Sequence, residues 1–147
     1  MIIKSLEQLN TISKKIADQL SINDCIYLIG EIGVGKTTFA RYLINYLQKK
    51  EGIKITDVLS PTFNLLYEYD LKKYKIMHYD LYRIKNVKEL GQLGIFHDNE
   101  KSIKIIEWPN LIQIPIPDKL EVHFNYVNNE NERELKFIGT SKWKNFK

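Results

Sequence analysis

Several things are scarce in this sequence, and each scarcity removes a class of protein. One cysteine, Cys25, in 147 residues excludes a disulfide framework and points to a cytoplasmic protein. No apolar run approaches the roughly 20 residues that a membrane-spanning helix needs. Met1-Ile-Ile-Lys4 is too short for the apolar region of a signal peptide, so no secretory leader is expected. Arginine is rare: Arg41, Arg83 and Arg133 are the only ones among 22 basic residues. The net charge of +4 is modest, and its lysines lie scattered among isoleucine and asparagine. Lys72-Lys73 and the tail Lys142 to Lys147 therefore read as solvated faces, with no DNA and no direct RNA contact expected. No Asn-Lys-x-Asp motif is present to read guanine. His97 and His123 stand alone and give no metal-ligand spacing. With 44% hydrophobic and 27% charged residues, residues 1–147 suit one globular domain around one core.

What is present is concentrated between Cys25 and Tyr46. An apolar run, Ile26 to Ile29, leads into Gly30-Glu-Ile-Gly-Val-Gly-Lys-Thr37, the P-loop pattern G-x-x-x-x-G-K-[ST]. Glycines let successive backbone N–H groups turn inward around a phosphate. The helix that opens near Lys36 adds its positive end to the same point. Gly33, Val34 and Gly35 would cradle phosphate, Lys36 would reach the β- and γ-phosphates, and Thr37 would bind Mg²⁺. Thr38 is set for the α-phosphate. Ala40, Leu43, Ile44 and Leu47 mark the helix's buried face, and Gly52 follows as a stop. A strand before the loop and a helix after it is the context that the motif requires. Cys25 opens the strand and reads as a small core residue.

The remaining elements follow from periodicity and punctuation. Ser5-Leu-Glu-Gln8 forms a capping box, and Leu6, Leu9, Ile12, Ile16 and Leu20 continue a helix over 5–20. Strands are predicted over Ile53 to Leu59, Phe63 to Asp70, Lys75 to Asp80 and Ile103 to Ile106, with a short helix over Asn86 to Leu93. Alternation from Leu120 to Tyr126, a polar turn at Asn128 to Asn131, and Glu134 to Ile138 predict an antiparallel hairpin at the sheet edge. The fold class is an α/β sandwich of the P-loop type, with a mixed sheet and this C-terminal hairpin.

A nucleotide site of this kind needs acidic groups for Mg²⁺ and water, and in open α/β sheets these lie at the carboxyl ends of strands. Asp80 ends Ile76-Met-His-Tyr-Asp80 and Glu107 follows Ile103 to Ile106. Either could equally be a plain strand terminator.

Four segments in order carry a family resemblance: Gly30 to Thr38, Ser60-Pro-Thr-Phe63, His78-Tyr-Asp-Leu-Tyr-Arg83 and Ile106-Glu-Trp-Pro109. Together they resemble the TsaE (YjeE) family of small bacterial ATPases needed for threonylcarbamoyladenosine in tRNA. The resemblance spans nearly the whole chain. It implies a P-loop α/β domain that binds ATP or ADP with Mg²⁺ and acts on the TsaD and TsaB subunits, touching tRNA only through that complex. Asp80 and Glu107 become the acidic pair around metal and water, with Lys36 at the transferred phosphate. Trp108 resembles a functionally required tryptophan, and Ser60 and Thr62 a loop facing the γ-phosphate. Arg83 is expected at phosphate or partner, and Arg133 as a basic group opening the last strand. His78 is read as packing or hydrogen bonding, not reacting. Leu9 stands where the family often carries threonine, which weakens the case for the first helix at the nucleotide, and Glu31 where aspartate is frequent.

Three other readings compete. A small P-loop kinase needs several lid arginines to neutralise phosphoryl groups, and three arginines are a poor supply. A GTPase switch lacks its guanine motif and an Asp-x-x-Gly. A nucleotide-dependent docking regulator without useful turnover shares the same loop.

Overall fold

Parallel strands covered on both faces must be apolar throughout, and Cys25-Ile-Tyr-Leu-Ile29 meets that requirement at the centre of a seven-stranded sheet. The structure, a computed structural model, describes residues 1–97, 101–127 and 131–147. In chain order its elements are β1 (Ile2–Ile3), α1 (Leu6–Ala17), β2 (Cys25–Ile29), α2 (Lys36–Lys50), β3 (Leu66–Asp70), β4 (Lys75–Asp80), α3 (Val87–Gln92), β5 (Ser102–Glu107), β6 (Lys119–Tyr126) and β7 (Arg133–Gly139). The strand order is β1-β7-β6-β2-β5-β4-β3. β6, β2, β5 and β4 run parallel, and antiparallel strands flank them on both sides. This is the mixed α/β sheet that the sequence predicts.

The sheet divides the apolar side chains into two cores. Ile26 and Leu28 of β2 join Ile76, Ile105, Leu120 and Val122 in packing against α1 and α2, where Phe39 meets Phe124 edge-on at 5.7 Å. Cys25 and Tyr27 face the other way, with Met77, Tyr79, Ile106 and the apolar side chains of residues 81–96. α1 opens as its sequence requires: the Ser5 hydroxyl accepts from Gln8 N at 3.2 Å, and Gln8 Oε1 accepts from Lys4 N at 2.7 Å.

Three expectations need correction. Residues 53–59 form no strand, although Ile53, Ile55, Thr56 and Val58 have strand-like side chains. Side chains of α2 take up their polar groups instead: Gln48 bonds Thr56 through both ends of its amide, and Arg41 Nε donates to Val58 O at 3.2 Å. β3 begins at Leu66 instead of Phe63, because Leu65 N turns back to Pro61 O at 2.7 Å with Leu65 at φ 64°. The C-terminal hairpin is present, but β1 covers its outer edge, pairing Ile2 with Glu134 and Ile3 with Arg133. A two-residue strand is too short to leave a periodic signal. Most of the polar turn after β6, residues 128–130, lies outside the described residues. Among the described residues no helix is long and apolar enough to cross a membrane.

Cys25 is buried in β2, and that burial pushes its thiol up to about 12. Almost no thiolate exists in the native protein near pH 8. An aromatic disulfide reagent should therefore leave the folded chain unlabelled over minutes and titrate one thiol at once in denaturant. Rapid labelling of the native protein would contradict this packing.

Candidate active site

The site forms where three strand ends and one helix start meet. Sheet register sets Leu28 of β2 opposite Glu107 of β5, and Glu107 opposite Asp80 of β4. Both acids thus leave the sheet side by side, at the end where residues 30–35 turn into α2. Gly30 permits that exit. Its φ is 154°, and a Cβ there would lie 2.6 Å from the backbone oxygen of Phe124 on β6. Gly35, at φ 117°, then starts α2.

The Thr37 hydroxyl donates to the Glu107 carboxylate, lying 3.0 Å from Oε1 and 3.1 Å from Oε2. With its hydrogen so engaged, the Thr37 oxygen keeps lone pairs for a cation. Asp80 is held separately: Oδ2 accepts from Thr62 Oγ1 at 2.9 Å and Oδ1 from Tyr82 N at 2.9 Å. Ser60 Oγ lies 2.8 Å from Thr62 Oγ1, so the 60–62 loop is tied to Asp80 through one hydroxyl. Glu107 and Asp80 are 1% and 3% exposed, yet each carboxylate has hydrogen-bond donors.

Lys36 is the cation of this cleft. Its Nζ donates to Gly30 O and Glu31 O, both at 2.7 Å, and sits 4.4 Å from the centre of the Trp108 ring. Burial draws the ammonium below its usual value, while Glu107 and Asp80 hold it up. Trp108 has φ 59° and ψ 56°, a left-handed conformation that a non-glycine residue adopts at a cost of about 1–2 kcal/mol. Its ring packs on Tyr82 at 4.8 Å, so the residues after Asp80 and Glu107 touch each other. Ile32, Gly33, Lys36, Thr37, Ser60, Thr62, Asp80, Tyr82, Glu107 and Trp108 line one cleft.

Not every sequence candidate lies there. Arg83 stacks on Phe63, 5.3 Å from the ring centre, and does not line the cleft. Arg133 stands on the other side of the loop, where its Nε donates to Val34 O at 3.1 Å and its guanidinium lies 4.2 Å from the Tyr126 ring centre. A second cavity of ≈ 460 Å³ opens on that side, lined by Ile3, Lys4, Ser5, Leu6, Leu9, Gly33, Val34, Gly35, Thr38, Phe124, Asn131 and Arg133. The start of α1 therefore borders the loop, with Leu9 among the residues that line this cavity. The capping box predicts where α1 begins but not what it faces. His78 packs and hydrogen-bonds as the sequence reading expects: fully buried, it places Nε2 2.9 Å from Glu107 Oε2, a partner that the sequence does not name.

The donor set suits a hard, oxygen-preferring cation. Among the described residues no three His, Cys, Asp or Glu side chains converge as a cage. Thr37 and its carboxylate neighbour would hold such a cation together with a ligand's own oxygens, as is usual for Mg²⁺.

Known proteins resemble this chain in both sequence and fold. Residues 3–135 match the family model described as threonylcarbamoyl adenosine biosynthesis protein TsaE. The Rickettsia felis tRNA threonylcarbamoyladenosine biosynthesis protein TsaE is 34% identical over 96% of this chain and 80% of its own length. The Bacillus subtilis protein of that name is 31% identical over 89% and 79%. The crystal structure of Bacillus subtilis YdiB superposes with a TM-score of 0.71 at 26% identity, covering 97% of this chain and 85% of that one. A family model matched over residues 3–135, together with relatives more than 30% identical over most of both chains, places the protein in the TsaE family of threonylcarbamoyladenosine biosynthesis proteins.

Proposed function

We propose that the chain is a Mg²⁺-dependent ATPase whose hydrolysis serves formation of threonylcarbamoyladenosine in tRNA by acting on a TsaD–TsaB complex. The bond from Thr37 to Glu107 carries this reading. It joins the loop hydroxyl of a P-loop to an acidic strand end, which is the arrangement a nucleotide-bound metal needs. Gly33 to Thr38 would surround the phosphates, and Lys36 would exchange two loop carbonyls for phosphate oxygens. The cavity bordered by α1, Phe124 and Arg133 is large enough for a purine base, and its Leu6, Leu9 and Phe124 offer an apolar surface for one.

The two acids then divide the work. Glu107 fixes Thr37 and so the metal side. Asp80, steadied by Thr62 and the Tyr82 amide, orients the attacking water and accepts its proton as the β–γ bridging P–O bond breaks. Mg²⁺, when bound, neutralises charge developing on the phosphate oxygens. Among the described residues Lys36 is the only Lys or Arg lining the cleft, so a cation from a partner would complete it. Ile32, Phe63 and Tyr82 are exposed around this cleft and offer apolar contact to that partner.

Binding is tested by calorimetry with ATP, ADP and GTP in Mg²⁺. ATP and ADP should bind and GTP should not. Lys36→Ala should weaken binding on the order of 10- to 100-fold, the loss of charge-assisted hydrogen bonds. Thr37→Ala should remove most of the dependence on Mg²⁺. Equal ATP affinity for wild type and Lys36→Ala would overturn this site.

Turnover is tested with the chain alone and with TsaD and TsaB added. Asp80→Asn and Glu107→Gln should keep near-native melting temperatures and lose about 10²-fold or more in hydrolysis. The subunits should stimulate the wild-type chain well above its slow intrinsic rate. Variants that unfold while their folded fraction hydrolyses normally would make both acids structural. Unchanged turnover with the subunits would favour a docking regulator.

A further inference from the structure

His78 occupies a position where the surrounding sheet uses aliphatic and aromatic side chains. Its neighbours in register are Ile105 on β5 and Tyr67 on β3, and Ile76, two residues back on the same face, belongs to the core beneath α2. A histidine there is 0% exposed and loses all hydration. One ring nitrogen recovers a partner, since Nε2 lies 2.9 Å from Glu107 Oε2. The other does not: Nδ1 is buried with no hydrogen-bond partner among the described residues. A core position selected for packing alone would not keep a ring with one orphaned nitrogen.

The geometry also assigns the hydrogen in this bond. A carboxylate oxygen only accepts, so Nε2 carries the hydrogen that points at Glu107. Glu107 then receives two donors from different elements, the Thr37 hydroxyl from α2 and the His78 N–H from β4. Two donors on one carboxylate fix its rotation, which a single bond would leave free. The Thr37 hydroxyl is aimed by that fixed carboxylate.

We propose that His78 is a positioning residue for the Thr37–Glu107 pair: it holds the Glu107 carboxylate so that the Thr37 oxygen presents its lone pairs to a nucleotide-bound divalent cation. This rests on the nucleotide reading above and names a residue that reading does not use. Groups one shell away from a metal typically change its affinity 10- to 100-fold when lost.

The test measures ADP affinity by calorimetry with Mg²⁺ and with EDTA, alongside thermal melting, for wild type, His78→Phe, His78→Gln and His78→Asn. Phenylalanine fills the space without a donor. Glutamine can carry an amide N–H to the Nε2 position, and asparagine is too short to reach it. We expect Mg²⁺ to tighten ADP binding in the wild type and in His78→Gln. That tightening should fall about tenfold or more in His78→Phe and His78→Asn, with the EDTA affinity unchanged in all four. Full tightening in His78→Phe overturns the positioning role and leaves the nucleotide site intact. Should His78→Phe fail to fold, the Gln and Asn variants decide, and equal tightening in those two overturns it. No tightening in the wild type overturns the nucleotide–metal reading and this inference with it.

Discussion

The hydrogen bond between the Thr37 hydroxyl and the Glu107 carboxylate is the contact on which the rest of the site depends. It ties the first turn of α2 to the end of β5, two elements 70 residues apart in sequence. The sheet makes it possible: β5 pairs with β2 in parallel and brings Glu107 level with Leu28, just before the loop begins. A shift of one residue in that pairing would turn the Glu107 side chain to the opposite face of the sheet, away from α2. The packing of Phe39, Leu43 and Ile44 against the sheet therefore does more than stabilise α2, because it sets the height at which Thr37 meets the acid.

Charge explains the rest of the arrangement. Two buried carboxylates stand in adjacent register, and each is held by directed hydrogen-bond donors. Lys36 rests on two loop carbonyls and against Trp108. The three arginines are engaged elsewhere: Arg41 on Val58, Arg83 on Phe63, Arg133 on the loop's far side.

Much of this was legible in the residues. The loop announces itself because its glycines, lysine and threonine follow physical requirements at fixed spacing, and the apolar runs before Asp80 and Glu107 mark them as strand ends. What the sequence hid was long-range. The capture of residues 53–59 by Gln48 and Arg41, across 8 and 17 positions, opposes their local propensity and depends on how α2 packs, which periodicity does not report. The pairing of β1 with β7 joins opposite ends of the chain. Arg83 shares a motif with Asp80, yet the turn after β4 carries it onto Phe63. His78 was legible as a packing or hydrogen-bonding residue, but its partner, 29 positions away, was not.

The central claim is that Thr37 and Glu107 act as one unit toward a nucleotide-bound cation. A double-mutant cycle on the Mg²⁺-dependent part of ADP affinity measures this directly, using Thr37→Ala, Glu107→Gln and both together. The account predicts strong coupling: the double variant binds about as weakly as the worse single variant, with an interaction energy of about 1–2 kcal/mol. Losses that simply add would mean that the two residues contribute independently, and would contradict it.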